Sequence, residues 1–229
     1  MFLCAGVHTV RGEKENILLI GDSISWGYYP HVKQMLTNVC EVVHAPGNNA
    51  STAYGLEHLE RWLGQKKWDV IHFNWGLHDM KYVSPTNVMQ GVAVDKGMQW
   101  VPVEQYEMNL DLLVQRLLKT GAKLIWCTTT PVPDGVFSRY PRAEWPYNAA
   151  AARVMAKYPQ ISINDLHEYI RPQREAMGGL KKDVHYSDAG SRSLANCVVL
   201  ALERSLGRTL FHPRERQVIR TDDMTGKTG

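Results

Sequence analysis

Ile17-Leu18-Leu19-Ile20-Gly21-Asp22-Ser23-Ile24-Ser25 is an apolar run that ends in a Gly-Asp-Ser turn. An uninterrupted apolar stretch closed by turn residues reads as a fully buried strand. A serine at the tip of such a strand is exposed and oriented, as a nucleophile must be. Taken alone, the tripeptide reads as an ordinary turn with a helix-capping serine. A second stretch, Asp183-Val184-His185-Tyr186-Ser187, gives it weight. There a histidine base, with a carboxylate two residues before it, stands just ahead of the last helical pattern.

Between these two stretches, apolar runs alternate with helical periodicity. Strands are expected at Asn16–Ile20, Glu41–His44, Asp69–Trp75, Lys123–Thr128 and Ile161–Ile163. Helices are expected at His31–Leu36, Tyr54–Leu63, Glu104–Lys119 and Ala149–Lys157, with a last one capped by Ser187 or Asp188. Tyr106, Leu110, Leu113 and Leu117 make the third the clearest, and Gly121 stops it. Alternating strands and helices predict an α/β fold, a parallel sheet covered on both faces. Right-handed crossovers make it doubly wound. Ligands bind such sheets beyond the carboxyl ends of the strands. Ser23, Asn48 and Asn49, His78 and Asp79, Thr128–Thr130, and Asp183 with His185 all fall at those ends.

The chain has 229 residues, is 44% hydrophobic and 21% charged, and carries a formal charge of +3. That describes an ordinary globular protein large enough to bury a core without staples. The charge is too small to imply a nucleic-acid partner. Three segments are expected: an extension over 1–15, a catalytic domain over 16–210 and a tail over 211–229. The tail's Arg214, Arg216, Arg220 and Lys227 lack interleaved aromatics and read as a solvated face. Cys4, Cys40, Cys127 and Cys197 have no metal or redox spacing and read as small buried hydrophobes. No apolar run is long enough to span a membrane, so no membrane insertion is expected. Residues 1–6 are too short for a secretory signal. The compartment stays open between cytoplasm and exterior, the latter with the signal removed. No feature bears on oligomeric state.

Ser23 needs a base, and His185 is the candidate among nine histidines. Asp183 can orient its ring, as in any Ser-His-Asp triad. Acyl transfer also needs donors for the developing oxyanion. Ser23 N–H, Gly47 N–H, and the side chains of Asn48 or His78 are candidates. Turn chemistry alone also explains Pro46-Gly47-Asn48-Asn49, and Asp79 reads as a cap. His72, inside a strand, reads as a core histidine.

Residues 16–206 resemble the SGNH hydrolases, the GDSL-type esterase/lipase superfamily. The resemblance rests on Gly21-Asp22-Ser23-Ile24-Ser25, on Gly47 within Pro46-Gly47-Asn48-Asn49-Ala50-Ser51-Thr52, and on Asp183-Val184-His185. It implies a three-layer α/β/α sandwich with a flavodoxin-like five-stranded parallel sheet. It also implies Ser23 as nucleophile and first oxyanion donor, Gly47 as backbone donor, and Asp183 and His185 as acid and base. Two departures stand out. The family's third block reads Gly-x-Asn-Asp, and here Gly76-Leu77-His78-Asp79 puts His78 in the asparagine slot. Many members place the acid three residues before the histidine, where this chain has Lys182; Asp165 is the alternative acid.

Trp26 and Tyr28, directly after the nucleophile, can stack on sugar, acyl or aryl groups, or pack the loop against the sheet edge. Arg142 can clamp an anionic substrate group or hold its loop. Segments 81–102 and 131–146 are expected to cover the rim. The reading is a serine ester hydrolase removing acetyl or another short acyl group from a carbohydrate or small soluble ester, with no metal and no organic cofactor. Alternatives are a lysophospholipase or thioesterase on the same machinery, a non-catalytic carbohydrate-binding relative, and a metal-dependent hydrolase through His78, Asp79 and His185.

Overall fold

The computed structural model describes residues 14–211. The extension over 1–15 and the tail over 211–229, with Cys4 and the basic tail residues, lie outside that range apart from positions 14, 15 and 211. The strands are β1 (Glu15–Ile20), β2 (Cys40–His44), β3 (Val70–Phe73), β4 (Tyr82–Ser84), β5 (Asn87–Gly91), β6 (Met98–Gln99), β7 (Lys123–Cys127) and β8 (Ser162–Asn164). Five of them form one sheet in the order β2-β1-β3-β7-β8. Every neighbouring pair in it is parallel. The helices are α1 (Ser23–Leu36), α2 (Thr52–Leu63), α3 (Val103–Leu118), α4 (Glu144–Ala156), α5 (Leu166–Ile170) and α6 (Asp188–Leu206). α1 packs on α6 over one face, and α2, α3 and α4 pack in series over the other. This is the expected three-layer sandwich.

β3 is buried throughout and β1 from Ile17 to Ile20, because helices cover both faces of the central strands. The chain leaves β1 for β2 on one side and then crosses to β3 on the other. The carboxyl ends of β1 and β3 therefore flank the switch point, where an open α/β sheet forms its binding crevice.

Three elements differ from the sequence reading. α1 begins at Ser23 rather than His31, because Asp22 caps it by accepting from the Ile24 N–H at 2.9 Å. Pro30 sits inside this helix and removes only one donor from its ladder. α4 begins at Glu144 rather than Ala149. Pro146 lies in its first turn, where a missing N–H has no intrahelical partner to lose. Segment 81–102 is partly regular: β5, β4 and β6 make a small antiparallel sheet. Its few residues per strand gave no readable alternation.

Candidate functional site

Ser23 is the first residue of α1, directly after the cap Asp22. Its N–H therefore has no intrahelical acceptor and lies at the positive end of the helix. The Ser23 hydroxyl meets His185 Nε2 at 2.7 Å, and His185 Nδ1 meets Asp183 Oδ1 at 2.6 Å. Asp183 Oδ1 also accepts from the His185 backbone N–H at 3.2 Å. A proton on Nδ1, shared with the carboxylate, leaves Nε2 as acceptor for the serine. Burial raises the Asp183 carboxyl, but the bonds from His185 outweigh it and hold the group below its ordinary value. The arrangement can generate a serine nucleophile and stabilise the imidazolium formed beside it.

Asp183 and His185, only two residues apart, can meet because the backbone turns tightly here. Lys182 adopts a positive φ of 53°, and the Leu180 N–H donates to the His185 carbonyl at 3.0 Å. Arg174, buried under this loop, donates to the carbonyls of Leu180 at 2.9 Å, Asp183 at 2.5 Å and His185 at 3.3 Å. One side chain thus ties down the loop that carries both Asp183 and His185. Nothing in the local pattern around Arg174 singled it out.

The Asp165 carboxylate is engaged elsewhere. Its Oδ1 accepts from the Thr128 hydroxyl at 2.8 Å and from the Glu168 N–H at 3.1 Å, capping α5. Thr129 and Asp79 are likewise structural. Thr129 bonds the Trp75 carbonyl. Asp79 accepts from Thr52 N–H and hydroxyl at the start of α2. Burial pushes the Asp79 carboxyl up to about 7, against those two bonds. With Asp79 turned to Thr52, the triplet His78, Asp79 and His185 is not gathered on one point. Among the described residues no group of three His, Cys, Asp or Glu is placed to hold a metal ion.

Ser23 and His185 share a cavity of about 520 Å3 with Asn48 and His78. His78 follows Gly76, whose φ of 151° suits glycine and whose Cβ would lie 2.3 Å from Thr129 Oγ1. Burial first, then the nearby cations Arg139 and Lys81, lower the His78 imidazole to about 3, so it is neutral. Its Nδ1 is buried without a partner, which leaves Nε2 as the ring nitrogen for the cavity. The Asn48 Oδ1 accepts from the Ala50 N–H at 3.0 Å, leaving its NH2 group unclaimed by that turn. Asn49 is structural: its Oδ1 accepts from the Gly21 N–H at 2.9 Å.

Three side chains named for possible substrate contact lie elsewhere. Tyr28 is 2% exposed. It lies one turn after Ile24 on the buried face of α1 and meets the His72 ring edge-on at 6.2 Å, so it cannot reach substrate. Trp26 donates its indole N–H to the Gly47 carbonyl at 2.8 Å and lies over His44 at 4.2 Å. It staples the turn to α1 and does not line the cavity. Asn48, next to Gly47 in this turn, lines the cavity. Arg142 is exposed and away from the cavity. From the same segment Arg139 reaches in instead, with Val136 and Phe137, and segment 81–102 contributes Lys81.

Fold and rim together define a class, the SGNH-type ester hydrolases. The model of the GDSL-like Lipase/Acylhydrolase family matches residues 19–192, well over half of the chain, and the chain belongs to that family. It is a carboxylic ester hydrolase. Among solved structures it is similar to an acetyl xylan esterase, AlAXEase, with TM-score 0.64 and 18% identity over 82% of this chain and 99% of that one. A lipase/acylhydrolase from Enterococcus faecalis superposes with TM-score 0.65 at 19% identity, over 84% and 96%. A catalytic mutant of Axe2, an acetylxylan esterase from Geobacillus stearothermophilus, does so with TM-score 0.65 at 18% identity, over 88% and 98%. At these identities the likeness is one of fold. No curated relative matches the sequence.

Proposed function

We propose that the protein removes acetyl or another short acyl group from a carbohydrate or small soluble ester through an acyl-enzyme at Ser23. The observation that carries this is the unbroken relay from the Ser23 hydroxyl through His185 to Asp183, at 2.7 and 2.6 Å. Ser23 attacks the ester carbonyl as His185 Nε2 takes its proton. The alkoxide leaves with that proton, and water then releases the acid through the same base. The oxyanion is held by the Ser23 N–H and by His78, with the Asn48 NH2 beside it. The neutral state of His78 supports its role as a donor, because an imidazole N–H at Nε2 replaces the amide of the missing asparagine. Similarity in fold to proteins described as acetyl xylan esterases supports the short acyl group.

Phe137, 66% exposed beside the cavity with Val136, favours a second reading, in which a longer acyl chain lies along this apolar edge. Hydrolysis of p-nitrophenyl esters from acetate to octanoate separates the two. The first reading expects acetate to have the highest kcat/KM, with no effect of chelator. A rise toward octanoate establishes the second. Tight carbohydrate binding with no turnover of any ester points instead to a non-catalytic relative.

A further inference from the structure

The catalytic cavity holds three cations and no free carboxylate. Lys81, Arg139 and Lys182 line it, and its one acidic residue, Asp183, is bonded to His185. Arg139 is partly buried and fixed by its Nε, which donates to the Leu77 carbonyl at 2.7 Å. Leu77 precedes His78, so this bond sets the guanidinium beside the oxyanion loop. Among the described residues no carboxylate lies within 4 Å of Lys81, Arg139 or Lys182, whereas Arg116, Arg153, Arg171 and Arg208 on the surface all have acidic partners. A partly desolvated cation without a partner is costly. Burial, and then Arg139, lower the Lys81 ammonium, while burial lowers Arg139 against the pull of Asp22 and Asp183. With three cations against the one carboxylate of Asp183, the cavity is thus a concave site of net positive charge, which concentrates anions. The terminal nitrogens of a tethered guanidinium fit carboxylate, sulfate and phosphate oxygens in pairs.

We propose that the ester substrate carries an anionic group, a carboxylate, sulfate or phosphate, held by Arg139 with Lys81 and Lys182 while Ser23 attacks the acyl carbonyl. This rests on the ester hydrolase reading of the same site and specifies its substrate. Arg139 takes the place the sequence suggested for Arg142. An alternative use of the same charge is to steady the oxyanion alone, in which case neutral and anionic esters are treated alike.

The test compares methyl 4-acetoxybenzoate with 4-acetoxybenzoate, and adds 4-acetoxybenzenesulfonate and 4-acetoxyphenyl phosphate to rank the anions. The expected result is a kcat/KM for at least one anionic ester roughly tenfold or more above that of the neutral one, falling as salt is raised. In Lys81→Met/Lys182→Met, which keeps the Arg139–Leu77 bond, the ratio drops several-fold. Calorimetric titration of Ser23→Ala with the same esters reads binding without turnover and expects the same order. Hydrolysis of neutral and anionic esters at equal kcat/KM overturns the proposal and leaves the hydrolase standing. Absence of hydrolysis with wild-type protein counts against the hydrolase reading. Equal binding of both ester types by Ser23→Ala then overturns the anion site as well.

Discussion

Replacing His78 by alanine tests the least conventional part of the site. The ring lines the cavity with Ser23 and His185 and is held neutral, near 3, by burial and by the cations around it. It therefore acts through an N–H bond and not as a charge. Loss of one such donor costs about 10²–10³ in kcat, or about 2.7–4 kcal/mol of transition-state stabilisation. If His78 donates to the oxyanion rather than to the ground-state carbonyl, as proposed, KM should change by less than about threefold. A group titrating near 3 does not shape the rate profile around neutrality, so the pH dependence of kcat/KM should keep its wild-type form. The ring also meets Trp100 edge-on at 5.9 Å, so alanine leaves a void worth about 1–3 kcal/mol of stability. Thermal unfolding shows whether the fold survives. Steady-state hydrolysis of p-nitrophenyl acetate from pH 5 to 9 is the assay, with His78→Asn as companion, since it restores a side-chain amide. A folded His78→Ala with kcat within about threefold of wild type refutes the reasoning. If Asn48→Ala alone shows the loss, the donor is Asn48.

Asp183→Asn removes the acceptor of the 2.6 Å bond from His185 Nδ1 and should lower kcat by roughly 10²–10⁴. Asp165→Asn should leave kcat unchanged and cost at most about 1 kcal/mol through the α5 cap; the reverse pattern in the same assay exchanges the two assignments. Burial holds His72 neutral down to about 3. Between that value and the ordinary histidine value of about 6.5, the unfolded chain binds a proton there that the folded chain does not. Stability from this group is therefore complete above about pH 6.5 and is lost as pH falls through the window. His72→Asn should flatten the slope of unfolding free energy against pH by about 1.4 kcal/mol per pH unit between about pH 4 and 6. Urea titrations at several pH values measure it, and an unchanged slope contradicts the buried neutral state.

The central strands were legible because they are buried on both faces and so appear as apolar runs, Ile17–Ile20 above all. α3 was legible because its buried residues Tyr106, Leu110, Leu113 and Leu117 repeat at helical spacing on one face. Ser23 and His185 could be read from position, each standing next to an element whose pattern was clear. Trp26 and Tyr28 could be read two ways, as substrate contacts or as packing, because the Gly-Tyr-Tyr-Pro sequence looks like a loop. The Asp22 cap starts a helix there, and its rotation decides that Tyr28 faces the sheet. Arg139 and Arg142 are three residues apart in an aperiodic segment, and nothing local distinguishes them. Only the docking of that segment, with the Tyr82 N–H on the Ser138 carbonyl at 2.8 Å and Arg139 on Leu77, turns one inward. Arg174 was hidden for the same reason, because its partners are backbone carbonyls of a loop six to eleven residues away.

Ser23 Oγ is the atom proposed to carry the acyl group. Mass spectrometry of the protein after reaction with a p-nitrophenyl alkylphosphonate tests it most directly. The account predicts one adduct per chain, on the peptide containing Ser23, with p-nitrophenol released in equal amount and no adduct in Ser23→Ala. An adduct on another residue, or undiminished ester hydrolysis by Ser23→Ala, would contradict it.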